Sequence, residues 1–560
     1  MYPIEGVLTQ PRLGLSDASY KQLLAADLII HAGGPMNIEL SLSEAEQSFL
    51  YPAKSLVQLA KDIHAAKGLN HFIHVVGFMS PYHEHNALSD LDHLLDNQPP
   101  YEKMKFLADS YIRKSLHSVG IPLSTVNPSV IVGDSFSGKT EQLGGLSILV
   151  DAVRRKLMPL VPGGDDYWLP MVHIDHVASF ISKLVNTEGL TSNTYYMLDA
   201  KQESPSIRAF IQLMARELQT AQPLGKAKVP LPLLKTLLGM GAGKVLGIPK
   251  ESMSFLVKSE FPVDSKLEIE QKNGMKSSVV PSTLPFIISD LDYRLNHLGQ
   301  NQNGTDDFYQ RRRANLILLE KDSDEPPIIF LHGTFSSADT LLPISRFLSD
   351  LNTWFVDLPG FGRTPYHHNP SVLEGYVESV IAMIAELNRP VLLVGHSFGG
   401  LIAAQVMERL PPMIKQLILM QPVLHPIQPK YKFRRATSFI LKYMKPALLE
   451  KELLQTKSFL SSSPLLKDYA RSVTRDLKSP RIRKTNAAVM SYLTQSKSIQ
   501  LNPVAWDKSK VKILWGTLDK DHYIPKQFEH LDITNIEYGH QFPVESPELT
   551  AEWISGVVRV

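Results

Sequence analysis

Short apolar runs alternate with longer stretches of helical spacing along most of this chain. In the first half, 27-DLIIHAGG-34 and 71-HFIHVVGF-78 are apolar runs, and 50-LYPAKSLVQLAKDIHAAKG-68 has helical periodicity. A second amphipathic helix, 101-YEKMKFLADSYIRKSLHSVG-120, is closed by glycine and followed by a strand in 122-PLSTVNPSVIVGD-134. Strands alternating with helices of this length predict a parallel sheet covered on both faces. Around 297-HLGQNQNGTDDFYQRRR-313 the texture turns polar, and 297–325 is expected to be a linker. A second α/β pattern then starts, with strands predicted in 327-PIIFLHG-333, 353-TWFVDLPG-360, 390-PVLLVGHS-397, 416-QLILMQP-422 and 511-VKILWG-516. Two α/β domains are therefore expected, 1–296 and 326–560.

Composition adds exclusions. At 560 residues the chain exceeds a single core, and its 43% hydrophobic and 20% charged residues describe a globular protein. A net charge of +2 gives no global field for nucleic acid. The absence of cysteine excludes disulfides, thiolate metal sites and a cysteine nucleophile, and fits a cytoplasmic enzyme. No apolar run approaches the ~20 residues that span a bilayer. The nearest, 229-VPLPLLKTLLGMGAGKVLGIP-249, is broken by lysine and proline and reads as a buried or cleft-lining helix, with a membrane-surface segment as the alternative.

The densest chemistry lies in 390-PVLLVGHSFGGLIAAQVMERL-410, where a buried strand enters Gly-His-Ser-Phe-Gly and then an apolar helix. That is the setting a G-x-S-x-G nucleophile turn requires, because side chains at Gly395 and Gly399 would collide with neighbouring backbone. After the first strand, 331-LHGTF-335 can bring the Thr334 amide to an oxyanion beside that of Phe398. Further on, 513-ILWGTLDKDHYIP-525 supplies an acid and 538-YGHQFPVESP-547 supplies His540. Together these segments resemble the α/β-hydrolase family over about 326–560. The resemblance implies Ser397 as nucleophile, His540 as base and then acid, and Asp519 as the acid that orients it. Asp521 stays open as the alternative acid, since its distance to Pro525 is the usual one. His332 and His396 read as wall residues. The basic helical insertion at 423–508, with 434–454 its clearest helix, is expected to form a lid. It reads as a solvated surface, with a dock for an anionic carrier, coenzyme A or lipid headgroup as the alternative.

In the first half, 101-YEKMK-105 places Tyr101 and Lys105 one turn apart on one helix face, where the ammonium would lower the phenol pKa. With 31-HAGG-34, 71-HFIHVVGF-78, 124-STVNPSVIVGDSFSGKT-140 and 171-MVHIDHVASFISKLV-185, the segment resembles an extended short-chain dehydrogenase/reductase. The nearest branch is that of the fatty acyl-CoA and carrier-linked thioester reductases. The resemblance implies NADP as cofactor, Tyr101, Lys105 and Ser80 as a reductase-like site, and His31, Asn127 and Pro128 as cofactor contacts. The opening MYPIEGVLTQPRLGLSD looks like a stretch from inside that domain. The first βαβ unit and its G-x-x-G-x-x-G loop are thus expected to be missing, so the half reads as truncated or degenerate.

Two motifs read as decoys. The P-loop pattern 133-GDSFSGKT-140, with 286-FIISD-290 as a weak partner strand, is also a substrate-side loop of the reductase branch. The histidines of 71-HFIHVVGFMSPYHEH-85 read as surface or capping residues, and no metal site is expected. The combined expectation is an incomplete Rossmann-like domain fused to a lidded serine hydrolase. It would cleave an acyl ester or thioester, free or linked to a carrier or coenzyme A, with peripheral membrane contact possible, and the hydrolase would need no cofactor. The alternatives are a bifunctional enzyme with an active NADP-dependent reductase half, and a non-catalytic scaffold.

Overall fold

The computed structural model describes residues 2–82, 92–187, 189–276, 279, 281–299 and 307–559. The first half carries β1 (Leu28–His31), β2 (His71–Val75), β3 (Leu123–Pro128), β4 (Val130–Val132), β5 (Val161–Pro162), β6 (Met171–His173), β7 (Asn193–Met197) and β8 (Lys228–Val229). Strands β1, β2, β3 and β7 form a parallel sheet in that order. Successive residues of β2 serve opposite faces, as strand pleating demands. Phe72 joins Ile63, Ile112 and Leu116 of the helices Tyr51–Lys67 and Pro100–His117, whereas Ile73 joins Val126 and Phe180 on the other side. The helix Tyr51–Lys67 stops at Gly68, whose φ of 84° suits a residue without a β-carbon. The short pairs β4–β6 and β5–β8 border a further core of Val150, Phe210, Ile287 and neighbours.

The second half carries β9 (Tyr309–Arg313), β10 (Leu316–Glu320), β11 (Ile328–Leu331), β12 (Thr353–Asp357), β13 (Val391–His396), β14 (Ile414–Met420), β15 (Val511–Gly516) and β16 (Asp532–Ile536). They make one sheet in the order β16-β15-β14-β13-β11-β12-β10-β9. Strand β10 runs antiparallel to β9 and β12, and the other pairs are parallel.

Three segments differ from the sequence reading. The stretch 297–325, read as linker, contains the β9–β10 hairpin. Its charge run is a strand whose Arg313 makes two bonds, 2.7 and 2.9 Å, to the buried carboxylate of Glu320. The run 434–454 is two helices, Arg434–Lys442 and Pro446–Gln455, because Pro446 cannot extend the first. They lie between β14 and β15 with the helices Pro464–Asp476 and Pro480–Leu493. The segment 229–249 is not a buried helix. Its helices Leu231–Leu237 and Gly243–Leu246 bury Leu231 and Gly243 while Leu233, Met240 and Val245 face solvent. Among the described residues no helix is long and apolar enough to cross a membrane.

A buried ion pair joins the halves. Arg481, on the helix Pro480–Leu493, and Asp292, on the helix Leu284–Asn296, are both fully buried with Nε and Oδ2 3.0 Å apart. Arg481 also donates to the carbonyls of Thr364 and Gly362 at 2.7 Å each, and Ser479 donates to Asp292 at 2.7 Å. Arg481→Ala should strand a buried carboxylate and cost about 3–5 kcal/mol. The paired change Arg481→Met with Asp292→Leu should cost much less. Urea unfolding followed by tryptophan fluorescence reads both.

Candidate active site

Strand β13 ends at His396, and the helix Phe398–Arg409 starts two residues later. Between them Ser397 sits at φ 54° and ψ −117°, a conformation that L-residues rarely adopt. The glycines permit the turn. A β-carbon on Gly395 would lie 2.4 Å from the carbonyl oxygen of Gly399, and one on Gly399 would lie 2.3 Å from that of Leu331. Gly333, which a sequence reading does not single out, is pressed against Ser397: its β-carbon would fall 2.8 Å from the serine's.

The turn aims the serine at a histidine. Ser397 Oγ lies 3.0 Å from His540 Nε2, and His540 Nδ1 lies 2.8 Å from Asp519 Oδ2. With Nδ1–H donated to the carboxylate, Nε2 is free to accept the serine proton. Asp519 Oδ2 also accepts from Gln421 Nε2 and His522 Nδ1, each at 2.9 Å, and Oδ1 accepts from the Asp521 amide at 2.9 Å. Burial alone would raise the Asp519 pKa, but the hydrogen bonds from His522 and His540 hold it far below the usual carboxylate range. Asp521 points elsewhere and accepts from Gln428 at 2.7 Å. Burial lowers the His540 pKa below 6.5 and the charge of His522 adds to this, against the opposing pull of Asp519.

His522 and Gln421 are absent from the sequence reading. His522 stands three residues after Asp519, a spacing visible in the DKDH run, whereas Gln421 just after β14 carries no local signal. Among the described residues the amides of Thr334 and Phe398 have no intramolecular acceptor, which leaves both available to an anion. The next amide, Phe335, is taken by Asn486 at 2.8 Å. His396 and His332 serve backbone: His396 Nε2 donates to the His540 carbonyl (3.0 Å), and His332 bridges the Gly333 carbonyl and the Leu358 amide. The insertion reaches the site through Tyr469, which donates to the Phe335 carbonyl at 3.3 Å and accepts from Gln541 at 3.2 Å.

The reductase-like residues gather differently. Lys105 Nζ lies 3.5 Å from Tyr101 OH, but Tyr101 is buried beneath Phe49, whose ring meets it edge-on at 5.2 Å. The expected lowering of the phenol does not occur: burial, then Glu102, raises its pKa to about 12, and burial lowers that of Lys105 to about 8. Ser80 does not join this pair, since it donates to Asp109 at 2.7 Å. His31 stacks on His74 with ring centres 5.0 Å apart, Asn127 accepts from the Gly77 amide at 3.4 Å, and the Pro128 carbonyl accepts from Phe78 at 3.1 Å. The dyad is enclosed, and His31 is paired with a histidine.

The P-loop-like turn is folded on itself. Asp134 accepts the Phe136 and Ser137 amides at 3.0 and 2.6 Å, Asp290 accepts that of Thr140 at 2.8 Å, and 286–290 is helix, not strand. His71 bonds Ser124 at 2.7 Å, and His83 and His85 lie outside the described residues.

Comparison with known proteins matches this division. Residues 328–553 match the family described as "Alpha/beta hydrolase family", and residues 1–181 match "Male sterility protein", an NAD-binding family. The chain therefore joins a Rossmann-like, NAD-binding domain of the male sterility type to an α/β-hydrolase domain. A pimeloyl-[acyl-carrier protein] methyl ester esterase of Shewanella woodyi is 32% identical over 106 residues, 19% of this chain and 39% of that protein. A (lyso)-N-acylphosphatidylethanolamine lipase of Mus musculus is 29% identical over 126 residues, 21% and 37% of the two chains. The chain spans about a third to two-fifths of the length of such curated relatives. Among solved structures, the terminal R domain of the myxalamid PKS-NRPS pathway matches with a TM-score of 0.41 and 18% identity, covering 52% of this chain and 75% of that one.

Gly399→Ala should force backbone movement at the turn, cost about 1–3 kcal/mol by overpacking and abolish hydrolysis. Thermal unfolding and activity on a chromogenic short ester read the two effects.

Proposed function

We propose that the chain is a serine hydrolase of acyl esters or thioesters, with Ser397 as nucleophile. The observation that carries this reading is the Ser397–His540–Asp519 hydrogen-bond chain on a strained strand-to-helix turn. Ser397 Oγ attacks the substrate carbonyl carbon as its proton passes to His540 Nε2, and Asp519 stabilises the imidazolium. The amides of Thr334 and Phe398 hold the tetrahedral oxyanion. Collapse expels an alcohol or thiol, which takes the proton back from His540, and water repeats the sequence on the acyl-enzyme. His522 is a positioning residue: it shares Asp519 and keeps the imidazole of His540 neutral to lower pH.

The acyl substrate is supported by the relatives' names, one acting on a carrier-linked methyl ester and the other on a lipid. A carrier- or coenzyme A-linked thioester is the proposed partner class. The first half is proposed to be catalytically silent as it stands, with the enclosed Tyr101–Lys105 pair favouring that reading over an active reductase. The helical segment 423–508 is proposed as the lid.

A fluorophosphonate probe should label the protein and fail on Ser397→Ala, with hydrolysis falling by about 10⁴-fold or more. Labelling that persists in Ser397→Ala, or its absence from folded wild-type protein, would overturn the assignment. Asp519→Asn should lower kcat by about 10⁴-fold, and Asp521→Asn should stay near the wild-type rate. Catalysis needs neutral His540, so the acid limb of kcat/KM should lie below pH 6.5, and His522→Gln should move it upward by removing a like charge. Titration with NADPH should give no saturable change in protein fluorescence.

A further inference from the structure

Two apolar ridges stand uncovered, one in each half. In the first, Met240 is 79% and Val245 82% exposed. The second is the helix Arg434–Lys442, which buries Thr437 and Leu441 against the helix Pro480–Leu493. Phe439, two residues from each, therefore projects from the opposite side, where its ring meets that of Tyr443 edge-on at 5.2 Å. Phe439 is 65% and Tyr443 58% exposed. Isolated exposed apolar residues are ordinary, but ridges of them call for a partner.

A cationic seam links the ridges. The first ends at Leu246, whose carbonyl accepts from Arg155 at 2.7 Å, and the next residue is Lys156. Lys156 lies in the field of Lys484, as do Arg434 and Arg483, and burial followed by these three charges lowers the Lys484 pKa. Lys484 also crosses between the halves, donating to the Gln219 carbonyl at 2.7 Å. Arg434 opens the second ridge. Among the described residues none of Lys156, Arg434, Arg483 and Lys484 has a carboxylate within ion-pair distance. Four clustered cations, of which Arg483 alone feels a buried carboxylate, that of Asp292, are flanked by aromatic and aliphatic side chains and match the boundary where anionic headgroups meet acyl chains.

We infer that this face docks on an anionic phospholipid bilayer, with Phe439 and Tyr443 from the lid and Met240 and Val245 from the first half entering the headgroup layer around the cationic seam. The docked lid then faces a source of acyl substrate, and the surface exists only when both halves are present. The inference goes beyond the proposed hydrolysis and is tested without it. The full chain should float with vesicles of phosphatidylcholine and phosphatidylglycerol, should not float with phosphatidylcholine alone, and should bind at least tenfold more weakly at high salt, roughly as screening predicts. The double variant Phe439→Glu with Met240→Glu should lose about tenfold or more of vesicle binding. It should keep its near-UV circular dichroism and its turnover of a water-soluble p-nitrophenyl ester. Equal binding to neutral vesicles, no binding to either, or undiminished binding by the folded variant would overturn the inference. So would wild-type protein that ignores vesicles and instead captures an acidic acyl carrier protein through these residues. Fluorophosphonate labelling of Ser397 is independent of every arm.

Discussion

The second half is organised around a backbone that should not relax. Ser397 holds a left-handed conformation because Gly395, Gly399 and Gly333 pack within 3 Å of where their β-carbons would be. Those contacts join three neighbouring segments: β11 through the Leu331 carbonyl, β13 through the turn, and the helix that follows. The strain is stored where the serine meets His540, and an intact eight-stranded sheet keeps it from being released. The hydrogen bonds that converge on Asp519 extend the same constraint to β14, through Gln421, and to the loop after β15.

The helical segment 423–508 belongs to both halves in packing terms. Arg481 leaves it to meet Asp292 in a fully buried pair, and Lys484 reaches Gln219. A buried pair of this kind contributes little net stability against an apolar replacement but penalises its own disruption, so it specifies a geometry. Here it sets the helix Pro480–Leu493 against the first half. The cationic seam follows from that placement, because Lys156 and Lys484 lie far apart in the chain and within one another's field.

Much of the fold was legible because parallel strands buried on both faces must be apolar, which made β2, β11, β13 and β14 visible as short apolar runs. The edge strands were not. β9 is rich in arginine and β16 is half-exposed, so neither carries the pattern, and the arginines of β9 read as linker until Glu320 is seen opposite. The segment 229–249 failed for the converse reason: apolar composition argued for burial, and the structure left one side of it bare. The tyrosine–lysine spacing correctly predicted proximity, while the phenol pKa rose because burial outweighs a nearby ammonium that is itself desolvated.

Sequence alone located the strained turn at Ser397, since it needs particular glycines at adjacent positions, and short-range steric rules are readable from short-range sequence. It also offered His540 and two carboxylates two residues apart as neighbours of that serine. Choosing between those carboxylates required the tertiary structure, because only the path of the loop after β15 aims Asp519 at His540 and turns Asp521 toward Gln428. The same holds for His522, the Arg481–Asp292 junction and the face shared by the two halves. Each depends on which distant segments meet, and that is decided by packing of the whole chain.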